Sequence, residues 1–498
     1  MVLILATNTE LRATIPPSRT IPETVEQYLE NAVQQWHIPG LAVAIVKDDQ
    51  VFYSKGFGRS DGQHQVTDDT PFIIGSLSKS LTATAVLQLV EAGKIDLQAS
   101  VQKYLPWFHL DSGASNSIKI VDLLHHTSGL SIQTDMEFLD LSIQSSPDIL
   151  ENYVRRLTKV KPKSLAGTEF NYANANYAIL GLIIQQVAQM PYEKYIESHI
   201  FQPLEMHHSF TSPSQALHSL PPLSTGHRFW LNQPVATTLP FDQQNLPAGY
   251  LISSAQDIAH YLIMQLNDGR YQDKKLISRA SLAQLHEPAV VAWGSASYAM
   301  GWVDDRVNNL SIKYHGGELA NFSANATLIP SQRWGIVILT NVFPGLIGDP
   351  IRKLYVGIIN ILQGSNPPQL KIELCNKLLV FGLPLVLLGQ IGFLLRSFSQ
   401  KKSQRLLQHN WCWWKQTYLP AILHSSIAIG FLVLLPIGTN VPLSIMLLAQ
   451  PDITITAIGC SAVAVCSLLR IVVIARSVKK QTRSQPAIPK LARSPKIS

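Results

Sequence analysis

Two pairs of short apolar stretches stand near the two ends of the first 345 residues. In the first pair, residues 41–46 and 51–56 are joined by a polar Asp-Asp turn. The second pair covers residues 324–329 and 334–340. Apolar runs of this length, separated by a few polar residues, are typical of β-hairpins. The pattern therefore predicts strands at both ends of one domain.

Between these strands the apolar positions recur with helical spacing. Examples are residues 80–92, 176–189 and 254–266, and the last of these has Ser254 as a candidate N-cap with Asp257 three positions later. Strands at the ends with helices between them predict an α+β fold. We expect one antiparallel sheet flanked by helices, with a helical subdomain inserted.

Three longer apolar runs follow, at residues 378–395, 418–438 and 453–475. Each is close to the roughly 20 residues that a bilayer-spanning helix needs. Buried core helices are the alternative, but such helices rarely lack a polar outward face. The pattern predicts a linker at 364–377 and a membrane domain of three transmembrane helices at 378–475.

Charge is divided unevenly between the two parts. Charged residues make up 15% of the chain, against roughly 25% in soluble domains. From residue 366 onward, 15 Lys and Arg stand against two acids, a net charge of +13, whereas the first 365 residues carry −6. A protein that binds nucleic acid would not be divided in this way, and we expect no nucleic-acid partner.

The placement of Lys and Arg predicts the orientation in the membrane. Five of them lie between the first two apolar runs, more lie in the basic tail 476–498, and none lies between the second and third runs. Basic connections stay in the cytoplasm, so we expect a multi-pass cell-membrane protein with a cytoplasmic C-terminus and an extracytoplasmic N-terminal domain, residues 22–363. Residues 1–21 hold only a short apolar run, less than a signal peptide, and we expect the native start upstream of Met1.

The candidate chemistry begins at Ser76-Leu77-Ser78-Lys79, an S-x-x-K motif before an apolar helix. Residues three apart share one face of a helix, so the Lys79 amine can reach the Ser76 hydroxyl. The amine can act as a base only when burial or neighbouring cations lower its pKa. The same spacing at Ser100, Ser399 and Ser477 lacks this context and is interpreted as chance.

Two further motifs follow along the chain. Tyr172-Ala173-Asn174 offers a hydroxyl that can relay a proton and an amide that can bind a substrate carbonyl. His315-Gly316-Gly317 stands ahead of an apolar strand, where glycines would leave backbone N–H groups available to an oxyanion. Each alone is more often a simple turn, but the ordered set of three is difficult to reach by chance.

With these motifs the chain resembles the serine β-lactamase and penicillin-binding-protein superfamily. It is most similar to the class C-type β-lactamase-related hydrolases, which include D-alanyl-D-alanine carboxypeptidases and esterases. The resemblance covers about residues 22–345 and not the membrane tail. Its supporting stretches are residues 36–42, 72–79, 123–130, 170–174, 248–253, 300–302 and 314–317.

The resemblance implies a role for each motif residue. Ser76 would be the acylated nucleophile, Lys79 and Tyr172 would share the acid and base work, and Asn174 would orient the substrate amide. The strand with His315, Gly316 and Gly317 would flank the substrate, and the backbone N–H groups of Ser76 and Glu318 would form the oxyanion hole. The implied reaction is acylation followed by hydrolysis, with no metal and no organic cofactor.

Two features depart from the simplest form of this picture. True class C β-lactamases begin the third motif with Lys, and a neutral His315 binds a substrate carboxylate more weakly. The adjacent pair His125-His126 invites a metal interpretation, but neighbouring side chains on a helix point about 100° apart and chelate poorly. We favour a structural role for this pair.

The sequence thus favours a membrane-anchored serine hydrolase whose partners are a small-molecule or peptide substrate and the lipid bilayer. The ester, amide and β-lactam alternatives stay open, as does the oligomeric state. A penicillin-binding or ligand-binding sensor with little turnover is the alternative from another class. Against it, the tail after the third apolar run is too short to be an effector domain.

Overall fold

A computed structural model describes residues 20–111, 118–137, 148–343, 350–370, 378–399 and 450–484, together with isolated positions between 422 and 447. The chain forms two compact units, which divide between Ile372 and Glu373. The division lies inside the segment 364–377, whose role as a linker stays a prediction. Residues 1–19, including most of the predicted N-terminal segment, lie outside the described residues.

The first unit is built around an eight-stranded sheet in the order β2-β1-β14-β13-β12-β11-β10-β9, in which all neighbours are antiparallel. The strands come from both ends of the unit, as the apolar pattern predicted. Their bounds are β1 Gly40–Lys47, β2 Gln50–Gly58, β9 Val290–Trp293, β10 Ala296–Tyr298, β11 Val303–Val307, β12 Leu310–Leu319, β13 Phe322–Ile329 and β14 Trp334–Thr340. Short two-stranded pairs are formed by β3 Phe72–Ile73 with β6 Ile252–Ser253, β4 His227–Trp230 with β5 Gln233–Ala236, and β7 Arg270–Tyr271 with β8 Lys274–Lys275.

Both faces of the central strands are covered, which explains why β1, β13 and β14 are buried along almost their whole length. Helices α1 Ile21–Gln35 and α11 Pro350–Leu362 pack on one face and share a core with Leu41, Val43 and Ile45. The alternate residues Ala42, Ala44 and Val46 belong to the core on the other face.

The second face carries the inserted helical region. It contains α2 Ser78–Glu91, α3 Ile120–Leu124, α4 Ile132–Glu137, α5 Ile149–Leu157, α6 Asn174–Ala188, α7 Tyr192–Ile196, α8 Pro213–Leu217, α9 Ala255–Leu266 and α10 Arg279–His286. Helix α9 begins as predicted, because the Ser254 side chain accepts a hydrogen bond from the Asp257 N–H at 3.1 Å. The first unit is therefore the predicted α+β fold with a helical insertion.

The second unit contains two described α-helices, α12 Leu383–Ser399 and α13 Pro451–Ser484, and a π-helical turn, Leu378–Gly382, that leads into α12. Within the described residues, one stretch, Pro451–Arg470, is long and apolar enough to cross a membrane, and the apolar helix Val380–Arg396 is shorter. The predicted span at 418–438 falls almost entirely outside the described residues. The three-span arrangement therefore stays a prediction.

Candidate active site

Ser76 lies in a single 3₁₀ turn, Gly75–Leu77, that leads directly into α2. Strand β3 delivers the chain to this turn, where Gly75 has a φ of +54°. The Ser78 hydroxyl donates to the Gly75 carbonyl at 2.8 Å and accepts from the Leu251 N–H at 3.1 Å. The turn is thereby held between α2 and the segment before β6, with Ser76 half-buried.

Lys79, the second residue of α2, is completely buried one helical turn after Ser76. Its Nζ atom lies 3.0 Å from Ser76 Oγ, 2.7 Å from Asn174 Oδ1 and 2.7 Å from the Ala248 carbonyl oxygen. Burial lowers the Lys79 pKa to about 7, against an opposing contribution from Asp135. At neutral pH a large fraction of this amine is therefore uncharged.

Tyr172 lies immediately before α6, against the same amine. The Lys79 Nζ atom is 4.8 Å from the centre of the Tyr172 ring, and the Tyr172 hydroxyl is hydrogen-bonded to Ser76. Desolvation raises the pKa of this hydroxyl, and the bond to Ser76 opposes the shift. Tyr172 therefore stays protonated at neutral pH and is available as a proton donor.

Asn174 is the first residue of α6, which begins two residues earlier than the apolar pattern predicted. The helix has no side-chain cap from its own N-cap residue, Ala173. Instead, the buried carboxylate of Asp135 on α4 accepts the Asn174 N–H at 2.6 Å and the Ala175 N–H at 2.9 Å. Sequence reasoning missed Asp135, since no motif links α4 to α6.

His126 is buried and fixes the segment between Tyr172 and Asn174. Its Nδ1 atom accepts the Ala173 N–H at 3.2 Å and lies 3.0 Å from Asn176 Nδ2. Its ring centre is 4.3 Å from that of Tyr172. These contacts are those of a structural side chain, as the sequence favoured.

His315 lies within β12, the strand that precedes β13, and is buried. Its Nδ1 atom lies 2.6 Å from the Gly316 carbonyl oxygen, which can only accept, so Nδ1 carries the proton and donates. The Nε2 atom then accepts from the Tyr298 hydroxyl at 3.1 Å. Burial lowers the His315 pKa to about 3, so the ring is neutral and both nitrogens are engaged.

The glycines of the third motif allow β12 to approach the turn that holds Ser76. A Cβ atom on Gly317 would lie 2.0 Å from the Ile74 carbonyl oxygen and 3.1 Å from the Ser76 nitrogen. A Cβ on Gly75 would lie 2.7 Å from the Glu318 nitrogen. The backbones around Ser76 and Glu318 are therefore in close contact, whereas a Cβ on Gly316 would meet nothing within 4 Å.

The three motifs thus meet at one place, although Ser76 and Asn174 are far apart along the chain. The Ser76 hydroxyl is hydrogen-bonded to a low-pKa amine and to a protonated phenol. This set can move a proton from a serine hydroxyl to an amine, and from a phenol or amine to a leaving group.

Comparison with known proteins supports the resemblance to the β-lactamase and penicillin-binding-protein superfamily. The β-lactamase family model matches residues 25–357, more than half of the chain. Protein flp of Staphylococcus aureus (strain COL) is 30% identical over 396 residues, which are 78% of this chain and 77% of that protein.

Two solved structures share the fold. The octameric penicillin-binding protein homologue from Pyrococcus abyssi superposes with a TM-score of 0.59 at 23% identity, covering 73% of this chain and 81% of that one. A class C β-lactamase gives a TM-score of 0.58 at 22% identity, covering 70% and 97%. At these identities the structures are similar in fold alone. With the family model, the motifs and the sheet topology in agreement, the chain belongs to the β-lactamase family, within the superfamily of serine hydrolases that also contains the penicillin-binding proteins.

Proposed function

We propose that this chain is a membrane-anchored serine hydrolase that forms an acyl-enzyme at Ser76. Its substrate is an extracytoplasmic ester or amide, such as a D-amino-acid peptide, an ester or a β-lactam-like compound. The surroundings of Lys79 support this proposal most directly. A neutral amine has two N–H groups and one lone pair; Asn174 Oδ1 and the Ala248 carbonyl accept the two N–H groups, which turns the lone pair toward Ser76 Oγ.

In the acylation step, Ser76 Oγ attacks the carbonyl carbon of the substrate while its proton passes to Lys79. The carbonyl oxygen becomes an oxyanion next to the backbone N–H groups of Ser76 and Glu318. When the bond to the leaving group breaks, the leaving group takes a proton from Tyr172, which regains one from the Lys79 ammonium. The products are the Ser76 ester and the protonated leaving group.

In the deacylation step, a water molecule attacks the Ser76 ester. Lys79 and Tyr172 accept the proton of the water and return one to Ser76 Oγ, which releases the acid. The residues that serve acylation therefore also serve hydrolysis, and the balance between the two rates separates a hydrolase from a penicillin-binding protein with little turnover.

Labelling of Ser76 tests the proposal. Full-length protein in detergent is treated with a fluorophosphonate and, separately, with a penicillin, and is measured by intact mass. We expect one adduct on the wild type and none on Ser76→Ala. The control is Ser100→Ala, which removes the serine of another S-x-x-K match and leaves labelling unchanged.

Each result decides a different part of the proposal. A penicillin adduct that disappears within minutes supports hydrolysis, and one that persists for hours favours the binding-protein alternative. A folded wild-type protein that neither reagent modifies would contradict the nucleophile assignment.

We also propose that the C-terminal unit anchors the protein with three spans and a cytoplasmic C-terminus. The apolar stretch Pro451–Arg470 of α13 supports at least one span, and the basic residues on either side of the apolar runs favour this orientation. We expect the full chain to stay in the membrane pellet after an alkaline carbonate wash, and a protease added outside intact cells to cleave the N-terminal domain only. Release into the supernatant would contradict the anchor.

A further inference from the structure

Asp135 is a buried carboxylate that the proposed reaction does not use. It lies on α4 and is 7% exposed. Its Oδ2 and Oδ1 atoms accept the first two N–H groups of α6, at 2.6 Å and 2.9 Å. The donor of the shorter bond is Asn174, whose side-chain oxygen accepts from Lys79 at 2.7 Å. Two hydrogen bonds therefore connect Asp135 with the proposed base.

The groups around Asp135 oppose the loss of charge that burial causes. Burial raises its pKa to about 7, while the two backbone N–H groups and Lys79 lower it. The N-terminus of a 15-residue helix adds a positive electrostatic potential at the same place. Both carboxylate oxygens accept N–H groups, and these two hydrogen bonds are stronger to the ionised carboxylate than to the neutral acid.

Asp135 also acts on the charge of Lys79. Burial lowers the Lys79 pKa, and Asp135 is the acid that raises it. Lys79 makes no ion pair among the described residues; its three acceptors are a hydroxyl, an amide and a backbone carbonyl. The charge on Asp135 is therefore the main compensation for an ammonium at this position.

We propose that Asp135 is a positioning residue with an electrostatic role: it holds Asn174 against Lys79 and stabilises the ammonium that Lys79 becomes on taking the Ser76 proton. This inference rests on the proposed function, in which Lys79 is the base. The stabilisation applies to the transition state, where positive charge develops on Lys79, and lowers the barrier to acylation.

The other titratable groups around the pair do not supply this charge. The histidines are neutral because burial lowers their pKa, and the tyrosines are neutral because burial raises theirs. The further acid, Asp242, acts on Asp135, whose pKa it raises, and not on Lys79. These groups are Tyr153, Tyr172, Tyr177, His126, His315 and Asp242.

The test is the pH dependence of Ser76 labelling by a fluorophosphonate in the full-length protein. Asp135→Asn removes the negative charge, so the Lys79 pKa falls and the acid limb of the rate profile moves to lower pH by roughly one unit. The plateau rate falls at least about tenfold, because a less basic amine with no compensating charge is a weaker base. Asp135→Glu keeps the charge and holds the limb near its wild-type position.

The matched control is Asp122→Asn. Asp122 is another buried carboxylate that accepts a backbone N–H, that of Lys119 at 2.9 Å, but it does not act on Lys79. Its replacement lowers the melting temperature and leaves the acid limb in place. The inference would be overturned if the acid limb of the Asp135→Asn rate profile stayed at its wild-type pH. It would also be overturned if Asp122→Asn moved the limb by the same amount.

A second variant and a direct titration keep the test decisive. If Asp135→Asn does not fold, Asp135→Ser supplies a second uncharged variant, and carbon-13 titration of the wild-type Asp135 carboxyl reports its charge directly. An ionised carboxyl at the pH of the limb supports the inference, and a protonated one overturns it. Labelling that survives in Ser76→Ala would reject the proposed function instead, so the two failures are distinguishable.

Discussion

Lys79 lies fully buried, and the three groups that it contacts by hydrogen bonds carry no charge, which is an unusual position for a lysine. Taking an ammonium out of water is costly, and the protein meets this cost by letting the amine lose its proton near pH 7. The same burial that would destabilise a structural lysine therefore gives Lys79 the low pKa that the proposed base needs. We interpret this cost to stability as a requirement of the proposed reaction.

We predict that the rate of Ser76 labelling rises with pH through about 7, as Lys79 loses its proton. Lys79→Arg places a side chain there that stays protonated, so the rate falls by roughly 10²–10⁴-fold. Labelling rates between pH 5.5 and 9 measure both effects. Lys103→Arg, at an exposed position in another S-x-x-K match, is the control, and a Lys79→Arg profile like that of the wild type would refute the assignment.

His315 occupies the first position of the third motif but does not offer a substrate carboxylate the contacts that a lysine there would. Its ring is neutral, and both nitrogens are bonded to Tyr298 and to the Gly316 carbonyl. It therefore offers a substrate carboxylate neither a positive charge nor an N–H group. The Lys of a true class C enzyme would offer both.

We predict little selection for a substrate carboxylate at this position. For 3-carboxyphenyl and 3-carbamoylphenyl esters of one acyl group, kcat/KM should differ by less than about tenfold, since a charge-assisted hydrogen bond would give a difference of roughly tenfold or more. His315→Lys should increase the preference for the carboxylate. A wild-type preference well above tenfold would show that another group binds the carboxylate.

At the scale of elements, the site depends on how closely β12 approaches the turn before α2. Strand β12 can lie there because Gly317 has no side chain facing Ile74 and Ser76. The neighbouring Gly316 faces open space, as alternation along a strand requires. The two glycines thus serve different purposes, although they are adjacent in the motif.

We predict that Gly317→Ala destabilises the protein by about 1–3 kcal/mol, because its Cβ would overlap the Ile74 backbone and push β12 from the turn. Gly316→Ala is the matched control and should change the melting temperature little, since its Cβ meets no atom within 4 Å. Thermal unfolding of both variants measures the difference. Equal melting temperatures would mean that β12 has room to move.

At the scale of the whole molecule, several buried or half-buried histidines make the fold sensitive to acid. Burial lowers the pKa of His125 to about 4 and of His286 to about 3, and the two histidines of the site behave similarly. Below pH 6.5, the ordinary pKa of histidine, these side chains take up protons in the unfolded chain but not in the folded chain. Stability therefore falls as the pH falls. Asp135 and Asp257, whose pKa values burial raises, act in the opposite direction over the same range.

We predict that the melting temperature falls between about pH 6.5 and 4, and that His286→Gln reduces the slope. One histidine contributes at most about 1.4 kcal/mol per pH unit in this range. His286 lies against Trp302, with ring centres 5.5 Å apart, away from the described contacts of Lys79. The exposed His109→Gln is the control, and equal slopes in the two variants would contradict the assignment.

Much of the architecture could be predicted from the sequence, because its determinants are local. Apolar runs of strand length gave the hairpins at both ends, and Ser254 gave the start of α9 through a bond three residues away. The spacing of Ser76 and Lys79 likewise follows from one helical turn. The start of α6 could not be predicted in this way, since its first N–H groups are accepted by Asp135 from another helix.

The sequence by itself determined which reactive groups the protein has and the order in which they occur along an α+β fold. The tertiary structure decided what those groups are able to do. Lys79 loses its charge only because other segments remove it from water, and His315 offers no free N–H group because its Nδ1 atom donates to the Gly316 carbonyl and its Nε2 atom accepts from Tyr298. Protonation and hydrogen bonding depend on the surroundings of a group, and here those surroundings come from residues far apart in the chain.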